Sequence, residues 1–515
     1  MEPLLELRNI TKYFGNFVAN DNINIKIYPG EVHALLGENG AGKSTLMNII
    51  FGLYHADEGQ IFVRGKEVHI KSASDAMKLG IGMVHQHYML VDVFSSAENV
   101  FLLSNQANWK TVNHKKIEET LNELGKKFGL EVDVHSRIDK LTVSMQQRVE
   151  ILKLLYIGAD LLILDEPTAV LTPQECDALF VTIENLRKHG KSIIFISHKL
   201  DEVLKISQKI TVLSHGRVAG EMMTADADKN KIIKMMVNTE IETPTFARGY
   251  YDNKNANPVI ELQNVTANDD RGVQTLGEIS LKLMPGEVIG VAGVEGNGQA
   301  ELAEVMAGMR KVTGGKIKLF NKEVTAGDCK TFIKNNVGYV PADRNYVGTV
   351  KTFPLYENWL LRRAKRPKKF KLLDYYRVKN DVKFFMEKFD VRARGIYDQT
   401  GNLSGGNLQK FILAREMSKN PKVLICSYPT RGVDVVASWF VRENIVHARQ
   451  DGVGVIVISG DFEELFAVSD RLIVMFEGKI IGELNPRETN VHEVGNLMMG
   501  IKPSSGAEER NDTNG

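Results

Sequence analysis

The sequence predicts an α/β protein built twice over: two tandem domains, each with a parallel-sheet core and an inserted helical subdomain. Three observations carry this prediction. Short runs rich in Ile, Leu and Val alternate with helix-length amphipathic segments, as in 160-DLLILDEP, 174-QECDALFVTIENLRKHG and 191-KSIIFIS, the pattern of strands joined by crossover helices. Pro29-Gly30-Glu31 returns 256 residues later as Pro285-Gly286-Glu287, while Pro167-Thr168 and Ser197 return 262 residues later as Pro429-Thr430 and Ser459. A period that long marks a duplicated domain rather than a stacked solenoid. Helical patterning dominates residues 95–160 and again 355–420, within each copy, with Gly125 and Gly129 closing one such helix.

The repeat places the first domain at residues 1–240 and the second at 258–503. Between them, 241–257 is polar and contains Pro, Asn and Asp, as a linker does, and 504–515 is a tail too polar to pack. The 515 residues carry 65 basic and 64 acidic side chains, so the formal charge of +1 gives no global argument for nucleic acid as a partner. A content of 43% apolar and 25% charged residues excludes disordered and fibrous classes. Cys176, Cys329 and Cys426 lie far apart with no CxxC pair, which points to a reducing compartment without disulfides or a zinc site. The start, MEPLLELRNI, lacks the charged-then-apolar pattern of a signal peptide, and apolar runs such as 453-VGVIVI stop well short of a membrane span. The basic run Arg362, Arg363, Lys365, Arg366, Lys368, Lys369 and Lys371 reads as a solvated loop and helix face.

Chemistry enters at Gly37-Glu38-Asn39-Gly40-Ala41-Gly42-Lys43-Ser44, which fits G-x-x-x-x-G-K-[ST] and lies between the apolar strand 32-VHALL and the helix former TLMNIIFG. Glycines let the backbone curl so that successive N–H groups face a β-phosphate, Lys43 adds charge on the β/γ oxygens, and Ser44 can ligate Mg²⁺. At the end of 161-LLILDEP, Asp165 is placed to hold the metal's water shell and Glu166 to orient and deprotonate an attacking water.

This order of motifs, with Gln86 after 81-IGMVH, Ser197-His198 one strand after Pro167-Thr168, and Leu403-Ser404-Gly405-Gly406-Asn407, resembles the ATP-binding-cassette ATPases over nearly the whole chain. The resemblance implies that Gly37 to Thr45 is the ATP phosphate loop and Gln86 the loop glutamine that touches Mg²⁺ and a transport subunit. It further implies that Asp165 and Glu166 are metal-shell and catalytic carboxylates, that His198 contacts the γ-phosphate, and that Tyr13 or Phe14 stacks on adenine. For whichever of the pair does not stack, an ordinary buried strand residue is the competing reading.

The copies are unequal. In the second, the loop runs Gly293-Val294-Glu295-Gly296-Asn297-Gly298-Gln299-Ala300, so the lysine and the metal-binding hydroxyl are gone. Asp165 and Glu166 align with Ser427 and Tyr428, His198 with Gly460, and Gln86 with Ala342. The signature runs the other way: Leu403-Ser404-Gly405-Gly406-Asn407 faces Leu141-Thr142-Val143-Ser144-Met145 in the first copy, where two glycines have been lost. Glycine there admits the close approach of a phosphate to a helix N-terminus. If the copies pack head to tail, as the family's do, every competent part falls in one site and every damaged part in the other.

A fused pair with a short linker, 403-LSGGNLQKFILARE and 430-TRGVDV looks like the ATPase subunit of simple-sugar or nucleoside importers, and 82-GMVHQHYMLV with 293-GVEGNGQ leans toward nucleosides. Such a subunit sits on the cytoplasmic face of the membrane. There one chain serves two transmembrane permeases, which an extracytoplasmic binding protein feeds. The rival readings are a soluble double-cassette ATPase acting on ribosomes and an exporter ATPase.

Overall fold

The computed structural model describes residues 2–38, 40–85, 88–102, 114–169, 171–197, 199–237, 256–324, 327–362 and 374–501. Asn39, Gln86, His198, most of the expected linker, the tail and the basic run beyond Arg362 lie outside the described residues. The chain divides into two compact units, Met1–Thr243 and Pro244–Gly515.

Unit 1 opens with β1 (Leu5–Phe14), β2 (Phe17–Ile27), β3 (Val32–Gly37), α1 (Lys43–Ile50), β4 (Glu58–Val63), β5 (Lys66–Val68), α2 (Ala73–Lys78) and β6 (Ile81–Val84). The helical part follows as α3 (Ser96–Phe101), α4 (His114–Phe128) and α5 (Val143–Tyr156). β7 (Leu161–Asp165), α6 (Pro173–Lys188), β8 (Ser192–Ile196), α7 (Leu200–Ile206), β9 (Lys209–Ser214), β10 (Arg217–Met223) and α8 (Lys229–Val237) complete it.

Six strands make the main sheet in the order β10-β9-β3-β8-β7-β6. All neighbours in it are parallel except the β9–β10 edge pair. Strands covered on both faces read as unbroken apolar runs, and β3 and β8 are buried throughout. A second sheet, β2-β1-β4-β5, is antiparallel and was not anticipated. Its alternation is hidden because β1 carries register shifts between Leu7 and Ile10 and between Ile10 and Lys12, which break the period of two. Leu46, Met47, Ile49 and Ile50 of α1 pack in one core with Leu5, Leu7 and Ile25 of this sheet and with Leu35, Ile163 and Ile194 of the other. That core fixes the helix that carries Lys43.

Gly129, at φ +72°, ends α4 as expected, whereas Gly125 lies inside the helix, where a Cβ would sit 3.4 Å from the Leu130 carbonyl oxygen and the Glu131 Cα. It therefore does not terminate the helix.

Unit 2 repeats the plan with β11 (Ile260–Asn268), β12 (Gln274–Leu283), β13 (Val288–Ala292), α9 (Gln299–Met306), β14 (Gly314–Leu319), β15 (Lys322–Val324), α10 (Cys329–Lys334) and β16 (Val337–Val340). Then come α11 (Leu355–Leu361), α12 (Tyr375–Lys388), α13 (Gly405–Met417), β17 (Val423–Ser427), α14 (Val435–Gln450), β18 (Gly454–Ile458), α15 (Phe462–Val468), β19 (Arg471–Phe476), β20 (Lys479–Leu484) and α16 (Val491–Met498). The sheets run β12-β11-β14-β15 and β16-β17-β18-β13-β19-β20. Arg362, read above as solvated, instead donates to the fully buried Glu416 carboxylate at 2.7 Å. Among the described residues no helix is long and apolar enough to cross a membrane.

Candidate nucleotide site

In unit 1, β3 delivers the chain to the phosphate loop and α1 receives it. Gly42, at φ +96°, starts α1, and a Cβ there would meet the Ala19 carbonyl at 2.4 Å, so only glycine fits. Lys43 is buried and folds back over the loop, its ammonium donating to the Gly37 and Glu38 carbonyls at 2.6 and 2.9 Å. Burial pulls its pKa down, opposed by the carboxylates of Glu166, Asp165 and Glu38. Gly40 and Ala41 complete the described curl, with Ser44 exposed and Thr45 half-buried beside Lys43 on the first turn of α1.

Asp165 ends β7, and burial together with the charge of Glu166 pushes its pKa up to about 6 while Lys43 pulls it down. Glu166 holds a left-handed backbone, φ 47°, and donates its N–H to the Ile196 carbonyl on β8 at 3.0 Å. A non-glycine residue in that region is strained, and such strain gathers at functional sites. The structure thus brings Lys43, Asp165 and Glu166 into one charged group. Tyr13 and Phe14 are both exposed at the end of β1, so neither is a buried strand residue. Tyr13 donates its N–H to Asp57 at 2.6 Å, and Phe14 stands edge-on to Tyr54.

Unit 2 keeps the backbone and loses the chemistry. Gly298 repeats the conformation of Gly42 with φ +93°, and Tyr428 repeats that of Glu166 with φ 46°. Gln299 folds back as Lys43 does, donating to the Val294 carbonyl at 2.9 Å, but brings no charge. The signature of unit 2 begins α13. Ser404 caps it, accepting from the N–H and the side-chain amide of Asn407 at 3.4 and 2.9 Å, and Asn407 in turn accepts from the Arg392 N–H at 2.8 Å. Gly405 is exposed, but Gly406 is buried, and a Cβ on it would lie 2.5 Å from an Asp434 carboxylate oxygen. The second signature glycine therefore has a packing reason inside its own unit.

Sequence reasoning missed the side chains that hold these loops. Gln147 on α5 donates to the Pro167 carbonyl at 2.8 Å, tying the signature helix to the segment after Glu166. Asn99 binds both backbone groups of Val91, at 2.8 and 3.1 Å, and Asn358 binds those of Val350, at 2.8 and 3.0 Å. Only their recurrence as buried polar residues at like places in both copies could have signalled them.

The model of the family described as "ABC transporter" matches residues 20–169 and 276–431. This chain belongs to the ATP-binding-cassette (ABC) transporter family. As an ABC protein it binds ATP, and its activity is ATP hydrolysis coupled to transport. It is 42% identical over 504 residues to the nucleoside import ATP-binding protein NupA of Lactococcus lactis subsp. cremoris, covering 97% of this chain and 98% of that one. It is also 42% identical over 537 residues to the glucose import ATP-binding protein TsgD13 of Haloferax volcanii, covering 97% and 96%. Among solved structures, the complex of the archaeal ribosomal stalk protein aP1 with the archaeal ribosome recycling factor aABCE1 aligns over 97% of this chain and 94% of that one. Its TM-score is 0.61 at 19% identity, a likeness of fold alone.

Proposed function

We propose that this ABC protein is the ATP-hydrolysing, energy-coupling subunit of an importer for a nucleoside or simple sugar. Its one hydrolytic site combines the Walker residues of unit 1 with the signature of unit 2. The observation that carries this is the sorting of parts: every residue the chemistry needs in a phosphate loop and at a strand end survives in unit 1, and the glycine signature survives in unit 2. Import is supported by the printed names of relatives that match end to end, and those names divide between nucleoside and sugar. The run 82-GMVHQHYMLV with 293-GVEGNGQ favours a nucleoside. The ribosomal and exporter readings draw nothing from these relatives.

In this reading the amides of Gly37 to Thr45 and the Lys43 ammonium cradle the β- and γ-phosphates, and Tyr13 or Phe14 stacks on adenine. Ser44, Asp165 and Gln86 offer hard oxygen donors, the set that suits Mg²⁺, and Ser44 is exposed at the start of α1. When bound, that ion neutralises charge between the β- and γ-phosphates. Glu166 orients the attacking water and takes its proton as the new oxygen–phosphorus bond forms and the bond from the γ-phosphorus to the β–γ bridging oxygen breaks, leaving ADP and phosphate, while His198 contacts the γ-phosphate. Ser404, Gly405, Gly406 and Asn407 present a helix N-terminus to the same phosphate. One chain docks on two permeases at the cytoplasmic face, and a binding protein outside supplies the cargo.

Glu166→Gln tests the chemistry: turnover is expected to fall at least about a hundredfold with ATP binding retained, the usual weight of a general base. Substantial residual ATPase sinks the single-site reading. Affinity purification from gently solubilised membranes tests the assembly, with two polytopic proteins expected and ribosomal proteins the contrary result.

A further inference from the structure

Glu202, in the first turn of α7, holds together two loops whose hydroxyls, on Thr168 and Ser197, are 29 residues apart in the chain. One Oε2 accepts the Thr168 hydroxyl at 2.5 Å and the Ser197 hydroxyl at 3.1 Å, and the other oxygen, Oε1, takes the Lys199 ammonium at 3.0 Å. Thr168 and Ser197 are each 2% exposed, and the Glu202 side chain is 12% exposed, so water competes little for these bonds. Ser197 is used twice, since its oxygen also accepts the Lys199 N–H at 3.0 Å. Thr168 stands two residues after Glu166, and Ser197 and Lys199 flank His198 in the sequence. Two hydroxyls on one ionised oxygen are charge-assisted bonds, stronger and more directional than neutral ones.

Unit 2 supplies the comparison. Thr430, Ser459 and Glu464 repeat the three residues at the 262-residue offset, but Asp461 stands where Lys199 does. Glu464 is fully buried against the Thr430 and Ser459 hydroxyls, but its neighbour Asp461 brings a negative charge where Lys199 brings an ammonium to Glu202. The unit that keeps Glu166 and His198 has an ammonium on this carboxylate, and the unit that has lost both has an aspartate in that place.

We propose that Glu202 is a positioning residue that fixes the loop bearing Glu166 relative to the loop bearing His198, so that base and γ-phosphate contact act on one substrate geometry. The proposal rests on the roles given to Glu166 and His198 above. Holding groups in register matters steeply, because a misplacement of about 1 Å can cost about a hundredfold in rate.

The test uses the full chain and steady-state ATPase kinetics, with nucleotide binding followed by a fluorescent ATP analogue. Glu202→Ala is expected to lower kcat at least about tenfold with KM for ATP within about twofold. Glu202→Gln keeps an oxygen that can accept both hydroxyls, so it is expected to recover most of that loss. Thr168→Ala and Ser197→Ala are expected to be non-additive in kcat, since either removes the same link. A kcat within about twofold of wild type in Glu202→Ala overturns the proposal. So does a Glu202→Gln variant as slow as Glu202→Ala, or a loss of nucleotide binding in step with kcat, which marks a merely structural residue. Glu166→Gln run alongside separates the two failures: turnover surviving in it removes the underlying reading, whereas an inactive Glu166→Gln with a fast Glu202→Ala removes only the positioning role of Glu202.

Discussion

At Lys43 and Gln299 the same backbone carries two different answers to one problem. Each residue folds back onto the carbonyls of its own loop and so ties that loop to the start of the following helix. Only Lys43 brings a cation that can exchange those carbonyls for phosphate oxygens. Lys43→Gln recreates the unit 2 residue in unit 1, and the fold-back bond remains open to it. The expected result is a drop in ATP affinity of at least about tenfold, since a charge-assisted bond becomes a neutral one, with little change in melting temperature. Nucleotide titration beside thermal denaturation checks both halves. Glu464 gives a second prediction at this scale. Burial pushes its pKa up to about 7; Asp461 beside it adds to the rise, and Arg442 and the Ser459 and Thr430 hydroxyls oppose it. A carboxyl whose folded pKa exceeds its unfolded value of 4.5 binds more protons when folded, so its contribution is present in acid and lost as pH rises from about 4.5 to about 7. The loss is about 3 kcal/mol at neutral pH for a group wholly out of water. Glu464→Gln should therefore melt higher than wild type at pH 8, with the difference shrinking toward pH 5.

The first helix of each helical part, α3 and α11, is tied to the loop before it by a buried asparagine. Asn99 donates to the Val91 and Ser95 carbonyls and accepts the Val91 N–H; Asn358 does the same at Val350, with further bonds to Phe353 and Thr400. Each is almost wholly buried, so truncation leaves backbone groups without partners. Asn99→Ala should cost about 2–3 kcal/mol, read as a lower denaturant midpoint. Asn99→Asp, which sets a buried carboxylate oxygen against the Val91 and Ser95 carbonyls, should cost at least as much. These ties were not legible in the sequence, because a lone Asn in a helix carries no pattern until its backbone partners are placed. The phosphate loop was legible, since Gly37 to Ser44 are contiguous and glycine, lysine and hydroxyl each have one chemical reason to be there. The antiparallel sheet was not, because bulges in β1 erase its alternation. Gly406 was read as a phosphate contact, and its burial against Asp434 shows that one glycine can answer to packing as well as to a ligand. Glu202 escaped notice because its two hydroxyl partners come from separate loops.

For the whole molecule the decisive property is asymmetry. Two equal cassettes would make damage to either signature equally harmful. Here the proposed site uses Ser404 of unit 2, whereas Thr142, its counterpart at the start of α5, belongs to the dismantled pairing. Both residues are N-caps with alike local bonds: Ser404 accepts the Asn407 N–H at 3.4 Å and Thr142 the Met145 N–H at 3.4 Å. Replacing either by Arg therefore costs similar cap energy, about 1 kcal/mol, and both positions are exposed enough to take the larger side chain. Any difference between the variants then reports the nucleotide chemistry, not folding. Ser404→Arg is expected to cut ATPase at least about thirtyfold, while Thr142→Arg stays within about threefold of wild type; on the rate scale that gap is over 1 kcal/mol of transition-state stabilisation. Equal losses would mean that both signatures serve hydrolysis, and the assignment of one working site per chain would fall with them.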